Sequence, residues 1–341
     1  MPDLEWARYV ELVDQYVDGG MADGLPVIPP HVDSVEAMLA ATDREPGELI
    51  GIAPPRYQEV TVRDIAINAV LAGCLPSYLP VVIAATEVML GAGFNPLGVS
   101  TSTKGIAPLI IVNGPIRHQI GLNALGNLLG PGPRANATIG RAVRFVLLNL
   151  GGAEPRVLDR SVLGHGGKYT SVIAEDEENS PWPALHTDYG YDKEQSTVTL
   201  MACEAPHQIL GQSSTRPETL LDLFAESMRT ATHYTRGGPA ECAIILAPDH
   251  RNFIADAGWS KSDVQRYLFE VCHRTAADLW AFDMEPRGLT PGDCPPDRLI
   301  DLFAGPEDMV IVAAGGPGAV SAYCWGFADH QVLGHSGHQA I

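Results

Sequence analysis

Two short apolar segments, each followed by a turn and then by a capped helix, most strongly constrain the fold of this chain. Residues 106–112 form one apolar run, which ends at Asn113-Gly114-Pro115, and residues 244–247 form the other, which ends at Pro248. Short apolar runs bounded by turn residues are typical of buried strands. The pattern predicts an α/β fold with mixed sheets flanked by helices. The chain then has either two related halves or two similar units of the kind that unrelated α/β proteins also contain.

The order of the predicted elements divides the chain near residue 160. Residues 1–160 form an N-terminal α/β half, and residues 161–341 form a β-rich insertion followed by a C-terminal α/β half. The tail of the second region is polar and is predicted to be loosely held. It contains three histidines: His330, His335 and His338.

Two strands are predicted in the β-rich insertion, at residues 168–175 and 196–204. In the second of them, alternation of side chains predicts two distinct faces. One face has Val198, Leu200 and Ala202, and the other includes Met201 and Cys203.

The charge balance of the chain limits its partners. The chain has 22 Lys and Arg against 41 Asp and Glu, which gives a net charge of −19. Nucleic acids and anionic membranes require a basic face, so neither is expected as a partner. A small anionic substrate is compatible with this balance where basic side chains are concentrated locally. Association with further copies of the chain stays open.

The expected cellular location follows from the N-terminal residues and from cysteine use. The first residues have neither the basic nor the apolar segment of a secretion signal, and no apolar run approaches the roughly 18 residues that span a bilayer. The six cysteines are far apart and form no CxxC or zinc-type spacing. We therefore expect a cytoplasmic protein with reduced thiols.

A Gly/Pro-rich segment, residues 130–141, contains the clearest candidate binding site. It delivers Arg134 to the start of a predicted helix, where Asn136 or Thr138 is predicted to cap the free N–H groups. A helix N-terminus beside an arginine favours anions. The alternative is an ordinary capped helix with a solvated arginine. Asn113, at the carboxyl end of a predicted strand, is expected to line the same cavity.

A dense polar segment, residues 175–186, supplies candidates for proton transfer. Four consecutive acids are followed by Trp182, which lies between two prolines, and then by His186. Crowded carboxylates raise one another's pKa, which suits a general acid or base. We predict that Glu178 and His186 transfer protons and that Trp182 excludes water. The alternative is a solvated acidic loop.

Two further side chains are candidate catalytic residues. Cys74 lies between two predicted helices, where the N-terminus of the second can lower the pKa of a thiol. The alternative for Cys74 is a small buried apolar residue. Lys168 follows two glycines and is expected to act as an electrophile or to bind the anion. Otherwise it is a surface lysine.

No motif identifies a cofactor. Residues 164–169 lack the first glycine and the Ser/Thr of a P-loop, and residues 315–321 lack the third glycine of a dinucleotide-binding turn. We therefore expect neither NAD nor a P-loop nucleotide. A metal is an alternative, and its ligands would be His165, His186 and His207 with Cys203 or Glu204, at spacings that are not diagnostic.

Several stretches of the chain, taken together, resemble a family of uncharacterised bacterial proteins. The stretches are residues 23–30 (DGLPVIPP), 69–76, 112–115 (VNGP), 134–141, 180–182 (SPW) with His186, and 258–261 (GWSK). The resemblance covers most of the chain and implies a single homologous unit, but it implies no reaction and no cofactor. Members of this family are sometimes found beside small proteins with a Cys/Sec-Gly-Ser-Cys motif. The resemblance therefore implies a thiol or selenol protein as a partner to test.

The leading interpretation is an enzyme that acts on a small anionic metabolite by a lyase or a thiol-assisted redox reaction. In this interpretation Arg134 binds the anion, and Glu178 and His186 face the same cavity. Two alternatives stay open. One is a metal-assisted hydrolase that uses His165, His186 and His207, and the other is a non-catalytic accessory subunit of a thiol or selenol protein.

Overall fold

A computed structural model of the protein describes residues 3–233, 241–327 and 336–341. In these residues the helices are α1 (Asp3–Asp18), α2 (Val32–Leu39), α3 (Val62–Ala72), α4 (Leu79–Leu90), α5 (Pro96–Thr101), α6 (Ile116–Gln119), α7 (Arg134–Val146), α8 (Leu185–Asp188), α9 (Pro217–Met228), α10 (Pro248–Asp256), α11 (Lys261–Val271) and α12 (Ala276–Trp280). The strands are β1 (Leu49–Ala53), β2 (Gln58–Thr61), β3 (Ala107–Asn113), β4 (Val172–Ala174), β5 (Thr197–Cys203), β6 (His207–Leu210), β7 (Cys242–Leu246), β8 (His273–Thr275), β9 (Leu299–Asp301), β10 (Met309–Ala313), β11 (Val320–Trp325) and β12 (Gly337–Ala340). Within the described ranges, no helix is both long and apolar enough to cross a membrane.

Two four-stranded sheets pack face to face and form the centre of the molecule. The first sheet has the order β12-β5-β3-β4 and the second has the order β10-β7-β11-β6. Alternate residues of their strands meet in a shared apolar layer, which includes Ile111 and Met201 from the first sheet and Ile245 and Val312 from the second. The outer face of the first sheet packs against α3, α4 and α7, and that of the second packs against α9, α11 and α12. The result is a four-layer arrangement of helices, sheet, sheet and helices, which confirms the predicted α/β class.

The two sheets have the same topology. In the first, β3 pairs parallel with β4 and antiparallel with β5; in the second, β7 pairs parallel with β10 and antiparallel with β11. The last register pairs of the parallel strands also correspond, because Val112 pairs with Ala174 and Leu246 pairs with Ala313. Helices connect the parallel strands in both halves. The two apolar runs in the sequence therefore mark equivalent strands, β3 and β7, of two similar halves.

Each sheet is completed by an edge strand that follows, along the chain, the last central strand of the other sheet. β6 follows β5 along the chain but pairs with β11 in the second sheet, and β12 follows β11 but pairs with β5 in the first. The chain crosses between sheets near Cys203 and Gly326, which form an isolated antiparallel bridge. Beside them, the Glu204 amide donates to the Trp325 carbonyl oxygen at 2.8 Å. Residues on both sides of position 160 consequently share the first sheet.

The structure confirms the predicted faces of β5 and corrects the prediction for the tail. Val198, Leu200 and Ala202 pack toward the helices, and Met201 and Cys203 face the layer between the sheets. The tail, predicted to be loosely held, supplies β12 as an ordered edge strand, and the His338 Nδ1 atom lies 2.9 Å from Thr199 Oγ1. The other two tail histidines, His330 and His335, lie outside the described residues.

Candidate functional site

Most of the predicted site residues lie in three separate places, which we name by their central groups. The Cys74 cluster comprises Cys74, Arg134 and Thr138. The acidic network comprises Asn113, Glu175, Glu177 and Glu178 with Arg117. The Lys168 cavity surrounds Lys168 and has a volume of about 370 Å³.

The Cys74 cluster joins the end of α3 to the first turn of α7. The Arg134 Nε atom donates to the Gly73 carbonyl oxygen at 2.9 Å, and Thr138 Oγ1 donates to the Arg134 carbonyl oxygen at 2.8 Å. Burial raises the pKa of the Cys74 thiol to about 12, against the opposing effects of a Thr138 hydrogen bond and the Arg134 charge. The thiol is therefore protonated at neutral pH. Burial outweighs the lowering of its pKa that the sequence suggested.

The start of α7 differs from the prediction because Asn136 and Thr138 do not cap it. The helix begins at Arg134, and its N-cap is Pro133, which has no side-chain hydrogen bond to the helix. Asn136 is buried, where its Oδ1 accepts from the Asn123 amide at 2.8 Å and its Nδ2 donates to the Val172 carbonyl oxygen at 2.9 Å. Buried backbone groups require partners, and Asn136 supplies them to a loop and to β4 instead.

The acidic network lies at the carboxyl ends of β3 and β4. The Asn113 Nδ2 atom donates to Glu175 Oε2 at 2.6 Å and to Glu177 Oε1 at 3.0 Å. The Arg117 guanidinium lies 3.0 Å from Glu177 and 2.8 Å from Glu178. The acids of this loop are therefore held by an amide and a guanidinium and do not form an isolated carboxylate cluster.

Within the acidic network, the pKa values of two glutamates shift in opposite directions. The hydrogen bond from Arg117 lowers the pKa of Glu178 to about 2, and a contact with His118 acts in the same direction. Burial raises the pKa of Glu175, which is fully buried. The crowding argument therefore fails for Glu178, because a cation offsets the neighbouring acids. Glu178 stays ionised and is a poor proton donor at neutral pH.

His186 and Trp182 are both buried, and each has a partner other than Glu178. The His186 ring is 1% exposed, and its Nε2 lies 3.2 Å from the Asp192 carbonyl oxygen. The Trp182 Nε1 atom donates to the Trp259 carbonyl oxygen at 2.9 Å, and the ring belongs to the core of the second half. The structure thus shows no hydrogen bond between Glu178 and His186. Neither Glu178 nor His186 lines the Lys168 cavity, and Arg134 does not line it either.

The Lys168 cavity lies between the C-terminal part of α7 and the loop at residues 155–169. The Lys168 Nζ atom lies 2.6 Å from Asp159 Oδ2 and donates to Ser161 Oγ at 2.5 Å. His165 precedes the short turn that carries Lys168, and its Nδ1 accepts from the Gly167 amide at 3.0 Å. Burial lowers the pKa of Lys168, and the nearby Arg144 adds to this, although Asp159 opposes both.

Arg144 is the second cation of this cavity. Its Nε donates to the Lys168 carbonyl oxygen at 3.1 Å, and its Nη2 lies 3.5 Å from Asp159 Oδ2. Its Nη1 is buried and has no hydrogen-bond partner among the described residues. Two cations therefore share the single carboxylate of Asp159, and one guanidinium nitrogen is left without a partner.

The charges around the Lys168 cavity sum to a positive value. Arg144, Lys168 and Arg156 line it, together with the carboxylates of Asp159 and Asp23. Asp23 is already paired with Arg141, which lies outside the lining and reaches both carboxylate oxygens at 2.7 Å. On a chain with net charge −19, this is a local positive site of the kind that binds anions.

The histidines proposed as metal ligands are not grouped. His165 lines the Lys168 cavity, His186 follows Leu185, whose amide donates to Glu175 in the acidic network, and His207 packs against Tyr323 at 5.2 Å between ring centroids. Across the described ranges, no group of three or more His, Cys, Asp or Glu is arranged to hold a metal ion.

Sequence reasoning identified Lys168 but missed the residues that hold it. Asp159 and Ser161 lie seven or more residues earlier in an irregular loop, and no spacing rule connects them to a lysine. For Arg144 a signal was present, because the apolar Leu147 and Leu148, three and four residues later on the same side of the helix, are both buried. A charged side chain at such a place requires buried partners.

Comparison with protein-family models and with curated proteins found no match for this chain. The chemistry of the site therefore carries the functional argument.

Proposed function

We propose that the protein is an enzyme that binds a small carboxylate in the Lys168 cavity and transfers a proton through Lys168, in a lyase-type reaction. The observation that carries the proposal is the pair of cations, Arg144 and Lys168, that lines the cavity and shares the carboxylate of Asp159. The planar guanidinium matches a carboxylate in geometry and charge. A cavity of about 370 Å³ is in the range of small-molecule sites.

Lys168 is suited to accept the proton in this reaction. Burial lowers the pKa of Lys168, which favours the neutral amine, and a neutral lysine amine can act as a base. The proton next to the substrate carboxylate would pass to Lys168 Nζ, and the electron pair of its C–H bond would form a double bond as a β-substituent leaves. The protonated Lys168 would return this proton to the leaving group. Asp159 and Ser161 would orient the amine throughout.

This proposal moves the anion site from the start of α7 toward its end. Arg134 does not line the Lys168 cavity, and it precedes Arg144 by ten residues of helix, or about 15 Å at 1.5 Å per residue. A thiol-assisted redox reaction is the weaker variant, because Cys74 is buried with a raised pKa. The cytoplasmic location, a homo-oligomer and a thiol or selenol partner protein remain predictions that accompany the proposal.

The arginines of α7 provide a matched test. Binding of pyruvate, lactate and malate is measured by calorimetry on the wild type, on Arg144→Gln and on Arg134→Gln, with thermal melts as a check on folding. Loss of a charged hydrogen bond weakens binding by about 1.5–3 kcal/mol, or roughly tenfold to more than a hundredfold. We expect this loss in Arg144→Gln and none in Arg134→Gln. The reverse result would return the anion site to the start of α7.

Proton transfer is tested separately from binding. Lactate or malate, whichever binds, is incubated in D₂O, and deuterium at the carbon next to its carboxylate is followed by NMR; pyruvate has no hydrogen on that carbon and serves only as a binding probe. We expect exchange in the wild type and its loss in Lys168→Met. Equal exchange in both proteins would rule out Lys168 as the base.

A further inference from the structure

The two halves of the molecule have equivalent crevices at the carboxyl ends of their parallel strands. In the first half, Asn113 and Glu175 follow the paired ends of β3 and β4, and the Glu175 amide donates to the Val112 carbonyl oxygen at 3.3 Å. In the second half, Ala247 and Ala314 take the same places after β7 and β10, and the Ala314 amide donates to the Leu246 carbonyl oxygen at 3.2 Å. In open α/β sheets, this edge is where ligands bind.

The crevice of the first half is filled by its own side chains. The carboxylates of Glu175 and Glu177 receive the Asn113 amide, and Arg117 closes the network from α6. The paired strand ends Ala174 and Ala313 are equivalent positions in the two halves. Glu175 and Glu177 therefore correspond to Ala314 and Gly316, which lie one and three residues after Ala313. Small residues therefore stand where the first half has acids.

The crevice of the second half is open and has a volume of about 610 Å³. Two glycine-rich loops meet in its lining, because a Cβ atom on Gly316 would lie only 2.7 Å from the Gly126 Cα atom. Backbone contact of this kind requires glycine at position 316. The residues that fill the crevice in one half are thus replaced by residues that keep it open in the other.

The character of this open crevice differs from that of the Lys168 cavity. None of the described residues that line it is charged, and its walls include the apolar side chains of Leu128, Ile245 and Val320. Ser321 Oγ is already engaged, since it accepts from the Ala247 amide at 3.0 Å and lies 2.8 Å from His250 Nδ1. The Gln208 amide stands at the edge of the crevice and is exposed. Apolar walls with few polar groups and no charge favour an uncharged ligand.

We propose that this crevice is a second binding site, for an uncharged planar heteroaromatic molecule such as a purine nucleoside. A side-chain amide can pair its donor and acceptor with the edge of an adenine ring, and Gln208, which lines the crevice, would supply that amide. The flat ring would lie between the apolar walls, over the contact of Gly126 with Gly316. Among the described residues no cation lines the site to receive a phosphate, so the nucleoside is favoured over its phosphorylated form.

Adenosine and AMP are the probes for this proposal, with binding measured by saturation-transfer NMR and calorimetry on the full chain. Ala322 lines the crevice and is partly exposed, so that Ala322→Phe fills the space. Leu210, on the neighbouring strand β6, is exposed and does not line the crevice, which makes Leu210→Phe the matched control. Gln208→Ala removes the proposed amide at an exposed position and serves if Ala322→Phe does not fold.

We expect adenosine to bind and AMP to bind more weakly. Ala322→Phe should weaken adenosine binding at least tenfold, Gln208→Ala should weaken it several-fold, and Leu210→Phe should leave it unchanged. Arg144→Gln, in the other cavity, should also leave it unchanged. The proposal is overturned if adenosine does not bind, if AMP binds more tightly than adenosine, or if folded variants at positions 322 and 208 bind as the wild type does.

Discussion

Replacement of Asp159 by asparagine tests how the Lys168 cavity holds its charges. The Asp159 side chain is only 5% exposed, and it is the single carboxylate between Lys168, at 2.6 Å, and Arg144, at 3.5 Å. The amide keeps the shape of the side chain but removes its charge, so that two largely buried cations lose their common counter-ion. Asp159→Asn should therefore be destabilising and should further lower the pKa of Lys168.

The magnitude follows from the burial of the three groups. Removing one partner of a buried ion pair costs about 3–5 kcal/mol. Lys168 and Arg144 are 13% and 12% exposed at the side of a cavity, which places the expected loss of unfolding free energy near the lower limit, at about 3 kcal/mol. For a chain of 341 residues, a loss of that size lowers Tm by about 4 °C.

The acid side of the stability profile provides a second, independent readout. Burial raises the pKa of Asp159, but hydrogen bonds from Lys168 and Ser161 outweigh it and hold the pKa below its ordinary value of 3.8. A carboxyl with a lowered pKa stabilises the fold above its ordinary value, and this contribution is lost as the pH falls through the value in the folded state. The difference in stability between wild type and Asp159→Asn should therefore shrink below about pH 4.

The assay is urea unfolding followed by circular dichroism between pH 3 and pH 8. The control is Asp33→Asn, because Asp33 is 89% exposed and its replacement should change stability by no more than about 0.5 kcal/mol. The pKa of Lys168 is followed by NMR in the folded wild type and variant. If Asp159→Asn is as stable as the Asp33 control and leaves the pKa of Lys168 unchanged, our account of the cavity is refuted.

Three further predictions concern the rest of the molecule. In a short iodoacetamide pulse at neutral pH, mass spectrometry should find Cys74 unlabelled until the protein is denatured, whereas the partly exposed Cys294 should react in the folded state; rapid labelling of Cys74 would contradict the raised pKa. Asp176→Ala should lower the free energy of unfolding by about 3–5 kcal/mol, because Asp176 Oδ2 lies 2.6 Å from Arg251 Nη2 in the wild type and the variant leaves this buried arginine without its counter-ion. The double variant Asp176→Leu/Arg251→Met should recover much of that loss, and equal losses in both variants would show that packing rather than charge is responsible. Glu178→Gln should change stability by less than about 1 kcal/mol, because Glu178 is 52% exposed and solvent screens its pair with Arg117; a larger loss in urea unfolding would contradict this.

The fold was predictable from the sequence where a segment carries its own signal. The apolar runs at β3 and β7 require burial on both faces, and each became a central strand with helices beyond it. The two faces of β5 followed from alternation alone. The exchange of β6 and β12 between the two sheets was not predictable, because the sequence pattern of a four-residue strand does not indicate which strand it pairs with. Their pairing is decided by the edges that the remaining strands leave free.

The candidate site was predictable only at Lys168, and the reason is the range of the interactions. Glu178 was expected to act among neighbouring acids, but its pKa is set by Arg117, which is 61 residues earlier in the chain. Asn136 has the residue type of a helix cap, but it is buried against Asn123 and Val172. In each case a partner distant in sequence outweighed the local preference that the residue type indicates.

The exchange of edge strands affects how the chain can reach its native state during synthesis. β5 ends at Cys203, whereas its outer partner β12 begins at Gly337, so the first sheet keeps an unpaired edge until translation has passed that point. Over that interval β5 exposes backbone donors and acceptors that another chain could pair with. A ribosome-bound fragment that stops before β12 should therefore be a target for chaperones. Expression of residues 1–211 or of residues 212–341 alone should give an aggregation-prone product, because the first segment lacks β12 for its sheet and the second lacks β6.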